Sequence, residues 1–175
     1  APDYWSWILI ANTQNLTVGE GFIMKGCDGT VANSVQQNYT FVGKPNNGDI
    51  NLTLGVNQTY LIGNPYPSAL DADKFIRDNI KDGGFAATNK FSGVLYFYDH
   101  FGGNSHILSE YEGGYGTYSL MGGVVAVSNS PLTANTGASG TKVPKRFIPV
   151  AQGFFIKSMN DPALTSNNPG LSPIT

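Results

Sequence analysis

The sequence predicts an all-β fold, a β-sandwich or jelly-roll-like assembly built from two related β units with one short helix near residues 69–79. Three observations carry this prediction. Short aromatic and β-branched runs alternate with Gly-, Asn- and Pro-rich turns along most of the chain, which is the punctuation of strands. Charged residues are only 13%, about half the usual share, and 22 glycines with many Asn, Thr and Ser take their place. Finally, Leu16-Thr17-Val18-Gly19-Glu20-Gly21-Phe22-Ile23-Met24-Lys25-Gly26 aligns without gaps on Ile148-Pro149-Val150-Ala151-Gln152-Gly153-Phe154-Phe155-Ile156-Lys157-Ser158. A repeat at such separation indicates duplicated β units.

Taken in order, Tyr4–Ile10 is aromatic and β-branched and predicts a strand, and the first repeat copy predicts another at Gly21–Lys25. Gln37–Gly43 and Asp49–Leu54 read as strands joined by a tight turn at Pro45–Gly48. In the second of these, Ile50, Leu52 and Leu54 alternate with polar residues, so one face belongs to a core. Tyr60–Gly63 is a short strand that Pro65 and Pro67 bring to a stop. Ser68 then fits a helix N-cap with Asp71 as its acidic partner. Strands follow at Gly93–Asp99 and Tyr115–Leu120, with a further one at Val124–Val127. Ser128–Thr141 is rich in small residues and predicts an exposed, mobile loop. Arg146–Lys157 carries the second repeat copy. The expected organisation is residues 1–59 as the last part of a first unit, 60–160 as a second, complete unit sharing one compact domain, and 161–175 as a linker with the start of another strand.

Composition excludes several function classes. A net charge of −2 argues against nucleic acid, because Lys142, Lys145 and Arg146 are the densest cationic group and cannot neutralise a phosphate track. No apolar run reaches the length of a membrane span. Cys27 stands alone and can form no internal disulfide. Asn15, Asn38, Asn51 and Asn57 each begin an Asn-x-Thr triplet, a pattern that so Asn- and Thr-rich a chain produces by chance.

The catalytic inventory is thin, and no catalytic residue is assigned. His100 and His106 lie in one Gly- and Asn-containing loop near Asp99, a compliant frame that makes a metal-dependent enzyme around Asp99, His100 and His106 the weakest of the functional alternatives. Glu110 and Glu112 sit on one strand face and cannot flank a glycosidic bond. Asp71 and Asp73 suit the first turn of the helix, where carboxylates complement the dipole. Calcium is the alternative there, with Asp71, Asp73 and Asp99 as ligands among loop carbonyls. Aromatics give the better lead. Trp5, Trp7, Tyr96, Tyr98, Tyr111, Tyr115 and Tyr118 are the types that stack on sugar rings. The same-face pairs Trp5/Trp7 and Tyr96/Tyr98 favour core packing, which leaves Tyr111 and Tyr115, with Trp5, as the expected sugar platform.

Leu61-Ile62-Gly63-Asn64-Pro65-Tyr66-Pro67-Ser68-Ala69-Leu70-Asp71, then Leu95–Asp99, Gly114–Tyr118 and Gln152–Lys157, follow in an order that resembles the GNPYPS region of large secreted and cell-surface proteins of Bacteroidetes, notably flavobacteria. Gly19–Phe22 and Tyr39–Gly48 are similar to the block preceding that region. The resemblance implies a piece of a longer adhesin-like protein exported by the type IX route. Its partners would be surface glycans or other surface proteins, and it brings no catalytic residue with it. The functional expectation is therefore a non-catalytic extracellular module for adhesion or surface assembly. The alternative is a carbohydrate-binding module of a secreted polysaccharide-degrading enzyme.

Overall fold

A computed structural model describes residues 7–11, 13–24, 40–102, 107–132, 134–159 and the backbone of 172–174. Its strands are β1 (Leu52–Leu54), β2 (Thr59–Gly63), β3 (Leu70–Asp71), β4 (Leu95–Gly102), β5 (Glu112–Ser119), β6 (Gly122–Val124), β7 (Phe147–Ile148), β8 (Gly153–Lys157) and β9 (Ser172–Ile174). One helix, α1 (Ala72–Asn79), lies between β3 and β4. Five strands form an antiparallel sheet in the order β2-β8-β4-β5-β6, while β1 pairs with β9 and β3 with β7. The chain is thus all-β with one short helix.

Alternation decides which side of the sheet is the core. Ile62 of β2, Phe154 and Ile156 of β8, Leu95 of β4 and Tyr118 of β5 are buried on one face. Ala72, Ile76 and Ile80, with Leu52 and Leu54 of β1 and Ile148 of β7, join them in one cluster. Phe75 of α1 closes it, at 5.7 Å from both Phe91 and Phe154. The outer face of β4, β5 and β8 carries aromatics that are not taken into this cluster.

Helix α1 starts later than its sequence suggests. Residues Leu70–Asp71 stay extended because they pair with Phe147–Ile148, so Asp71 rather than Ser68 is the N-cap. Its Oδ1 accepts from the backbone N–H groups of Asp73 (3.1 Å) and Lys74 (3.3 Å).

Both repeat copies lie against β2, on opposite sides of it. Gly153–Lys157 pairs with Gly63–Thr59, while on the other edge Glu20 bridges Ile62 and Gly21 N–H donates to the Leu61 carbonyl at 3.0 Å. Each copy enters through the same turn. Glu20 N–H donates to Thr17 O and Gln152 N–H to Pro149 O, and the third residue of each turn has positive φ, +93° at Gly19 and +59° at Ala151. The repeat therefore encodes a turn that delivers a strand edge to β2. At Ala151 the left-handed backbone carries a Cβ, so Ala151→Gly is expected to raise stability by about 1 kcal/mol, read as an upward shift in urea midpoint at unchanged slope.

The Asn64-Pro65-Tyr66-Pro67-Ser68 segment is a clasp. Asn64 Nδ2 donates to the carbonyls of Ser68 (2.8 Å), Ile148 (3.2 Å) and Pro149 (3.1 Å), and Oδ1 accepts from Tyr66 N–H (3.0 Å). Pro65 O accepts from Asn46 Nδ2, and the Tyr66 hydroxyl donates to Gly48 O, both at 2.8 Å. Residues 46–48 and 148–149 are thereby joined through one pentapeptide.

Several expected strands do not form among the described residues. Residues 4–6 of the first lie outside the described residues, and residues 7–10 form no strand. Ile8 and Leu9 are exposed, and residues 7–10 meet no sheet edge among the described residues. Gly21–Met24 contributes a backbone bond to Leu61 rather than a strand, with Lys25 outside the described residues; of the expected Gln37–Gly43 strand, residues 37–39 also lie outside them and residues 40–43 form no strand. The Ser128–Thr141 segment, expected to be mobile, is tied across its base. Ser128 N–H donates to Ala138 O, Gly137 N–H to Ser128 O and Gly140 N–H to Ala126 O. Its return limb covers the end of β4, where a Cβ on Gly140 would fall 2.6 Å from Asp99 Oδ2 and 3.0 Å from the Phe101 ring.

Candidate ligand-binding face

The outward face of the sheet is built by parity. Phe155 and Lys157 point away from Phe154 and Ile156 in β8, and Tyr96, Tyr98 and His100 point away from Leu95 and Phe97 in β4. Tyr115 of β5 is directly opposite Tyr98, and Phe155 is opposite Tyr96. Four rings consequently run as a row. Tyr98 and Tyr115 meet at 5.4 Å (65°), Phe155 stands at 90° to Tyr115 at 5.5 Å, and Trp7 stands at 88° to Phe155 at 6.3 Å. These edge-to-face contacts suit the ring quadrupoles and hold the rings in fixed orientations. Beyond Tyr98, His100 stacks on Tyr111 at 4.8 Å. Gly113 makes room for this row, since a Cβ there would lie 2.8 Å from the Tyr98 hydroxyl.

Tyr98 and Tyr115 are each 48% exposed and Trp7 41%, which leaves ring surface open to a ligand. Partial burial pushes both phenols above the ordinary tyrosine range, and in Tyr98 the neighbouring Tyr115, Tyr111 and Asp99 add to it. Both therefore stay protonated and able to donate at neutral pH. Beside the rings is a groove of about 490 Å³ lined by Trp7, Tyr96, Tyr115 and Phe155 with Asn57, Thr59 and Lys157. Asn57 is held at the β1–β2 turn with φ +54°, a left-handed position that Asn tolerates. A cleft of about 590 Å³ beside the first repeat copy is a weaker candidate, because Asn46 and Asn64 in it are already used by the clasp.

Of the expected platform, Tyr115 is central and Tyr111 lies at its margin, while Trp5 falls outside the described residues. Tyr96 and Tyr98, expected in the core as a same-face pair, are on the outward face instead. Tyr118 is the tyrosine that enters the core, 7% exposed. Sequence reasoning missed Phe155, Lys157, Asn57 and Thr59. The parity that Phe155 shares with Lys157 is the signal that could have found the first.

The calcium reading for Asp71, Asp73 and Asp99 finds no common site. Arg146 holds Asp71 through two bonds, Nε to Oδ1 at 2.9 Å and Nη2 to Oδ2 at 2.7 Å, and approaches Asp73 at 3.5 Å. Asp99 is separately engaged by Lys142 Nζ at 3.1 Å. Among the described residues no three His, Cys, Asp or Glu side chains gather to hold a metal. His106 and Cys27 lie outside those residues. Glu110 ends a short turn and Glu112 opens β5, beside Gly102.

The Asp71–Arg146–Asp73–Tyr118 cluster is structural and should mark the pH profile. The Arg146 bond holds the Asp71 carboxyl below its usual value, helped by the helix N–H groups. Burial, then the 2.8 Å bond donated to Asp73, pushes the Tyr118 phenol up to about 12. A raised folded value means stability present below the unfolded tyrosine value, about 10, and lost as pH climbs through about 12. Asp71 acts oppositely, its contribution being present above about 3.9 and lost as pH falls further. Thermal melts against pH are expected to show both limbs, and Tyr118→Phe to remove Tyr118's share of the alkaline one.

Among the described residues no helix is long and apolar enough to cross a membrane. No curated protein and no solved structure matches the chain. Residues 2–169 match the model of one family, and the chain belongs to it: the family described as Domain of unknown function (DUF8693).

Proposed function

We propose that the chain is a non-catalytic glycan-binding module of a larger secreted or cell-surface protein, holding carbohydrate on the outward aromatic face of its sheet. The observation that supports this reading best is the row Trp7–Phe155–Tyr115–Tyr98, fixed edge to face with Trp7, Tyr115 and Tyr98 nearly half-exposed, beside a groove with Asn57, Thr59 and Lys157. Sugar rings present C–H faces that lie against aromatic faces, and their hydroxyls need the donors and acceptors that the groove lining supplies. The resemblance of the Leu61–Asp71 block to bacterial surface proteins and the low charge content favour an extracellular setting. Adhesion is the role that such a face would serve.

The test is binding to a panel of soluble polysaccharides by affinity electrophoresis and calorimetry, with Tyr115→Ala as the probe. Removing one stacking ring is expected to weaken binding about tenfold or more, on the scale of aromatic stacking of ~1–3 kcal/mol seen with nucleobases. The melting temperature should move little, because Tyr115 is half-exposed. Absence of binding to every polymer would sink the reading and leave adhesion through protein contacts.

A further inference from the structure

Resting on the glycan reading of the same face, we infer that its ligand is an acidic polysaccharide, one bearing uronate carboxylates or sulfate esters, and that Lys157 is the residue that selects it. Lys157 follows Phe155 by two residues in β8, so the ammonium and the central ring of the row are on one side of the sheet. Thr59 lies directly across from it in β2. Among the described residues lining the groove it is the only one with a charge. It makes no ion pair among the described residues, whereas Lys74, Lys142 and Arg146 all do.

The setting gives that lone cation a selective role. Aromatic faces carry negative quadrupole charge and disfavour an anion laid on them, so a row of four rings alone would prefer neutral sugars. A cation beside the rings reverses this preference for a sugar whose acid group projects to the edge. The bond formed would be a charge-assisted one to carboxylate or sulfate oxygen. Elsewhere the chain repels such polymers weakly, with a net charge of −2, so a preference for them must come from a local site. The length of the row also suits a run of several sugar units along a chain rather than one terminal sugar.

The experiment compares alginate as a uronate polymer, carrageenan as a sulfated one and laminarin as a neutral one. It uses the whole chain and its Lys157→Gln, Lys157→Arg and Tyr115→Ala variants. The native protein is expected to bind at least one acidic polymer about tenfold more tightly than laminarin. That gap should shrink at roughly 0.5 M salt, where exposed charges are screened within a few Å. Lys157→Gln should close the gap by weakening the acidic polymers far more than laminarin, with the melting temperature unmoved, and Lys157→Arg should keep it. Tyr115→Ala should weaken all three. Which acidic polymer binds better distinguishes carboxylate from sulfate. Equal affinity for acidic and neutral polymers, or a preference that survives Lys157→Gln, overturns the inference while the glycan reading stands. Binding to none of the three or any other polymer removes both.

Discussion

Phe154→Ala is expected to cost about 3–5 kcal/mol of stability, while Phe155→Ala, one residue along, should cost roughly 1 kcal/mol and remove most glycan binding. Phe154 is 1% exposed and sits on β8, between β2 and β4. Its ring contacts Phe75 at 83° and Phe97 at 35°, both at 5.7 Å, so it joins helix to sheet. Truncation would leave a cavity bounded by three elements that cannot all close on it, and the lining would lose its dispersion contacts. Against a typical total of about 5–15 kcal/mol, this is enough to populate the unfolded state visibly. Phe155 points the other way and contacts Tyr115 and Trp7 across solvent-facing surface. Urea unfolding of the two variants gives the comparison directly. Equal losses would mean that both faces of β8 are core, and the binding face proposed above would then fall.

The same pair of residues shows what sequence reading reaches and where it stops. Strands β2, β4, β5 and β8 announce themselves by β-branched and aromatic runs between glycine turns, and all of them formed. Which face of each strand is inside was harder. In Leu95–Asp99 both parities are aromatic or aliphatic, so sequence alone favours the core for Tyr96 and Tyr98, whereas register sets Tyr98 opposite Tyr115 and Phe155 opposite Tyr96 on the outward face. Asp99 misleads further, since it has the parity of Leu95 and Phe97 and is buried beneath the Gly140–Lys142 limb. Only β8 carries its own marker, because Lys157 identifies the outward side. Long-range pairing was invisible for the same reason. Arg146 meets Asp71 across 75 residues, and nothing local in Ser68–Asp71 says that β7 will keep the chain extended and delay the helix. Residues 7–10, the described part of the early aromatic run, have strand composition but no partner edge among the described residues, and propensity without a partner does not make a strand.

Asn64→Ala should destabilise by about 2–4 kcal/mol although no apolar core atom is touched. The residue is 5% exposed, and its amide serves three carbonyls and one N–H. Alanine would leave those groups without their side-chain partner, and each one that water does not reach costs its own desolvation. The loss would also release Pro65–Tyr66 from the turn at residues 46–48 and from the second repeat copy, so the slope of urea unfolding should fall if the first segment detaches. Asn64→Asp separates hydrogen bonding from shape. It keeps the volume but turns the Nδ2 donor into an acceptor facing the Ser68, Ile148 and Pro149 carbonyls. At neutral pH it should be at least as damaging as alanine. Burial among carbonyls raises the folded value of such a carboxyl, so its deficit relative to the native protein should narrow as pH falls toward 4 and the acid regains one donor. An aspartate variant as stable as the native chain at pH 7 would show that the amide bonds do not hold the clasp. The Asn-Pro-Tyr-Pro-Ser segment would then need another explanation than the one its geometry gives: a polar rivet between the turn at residues 46–48 and the start of the second repeat copy.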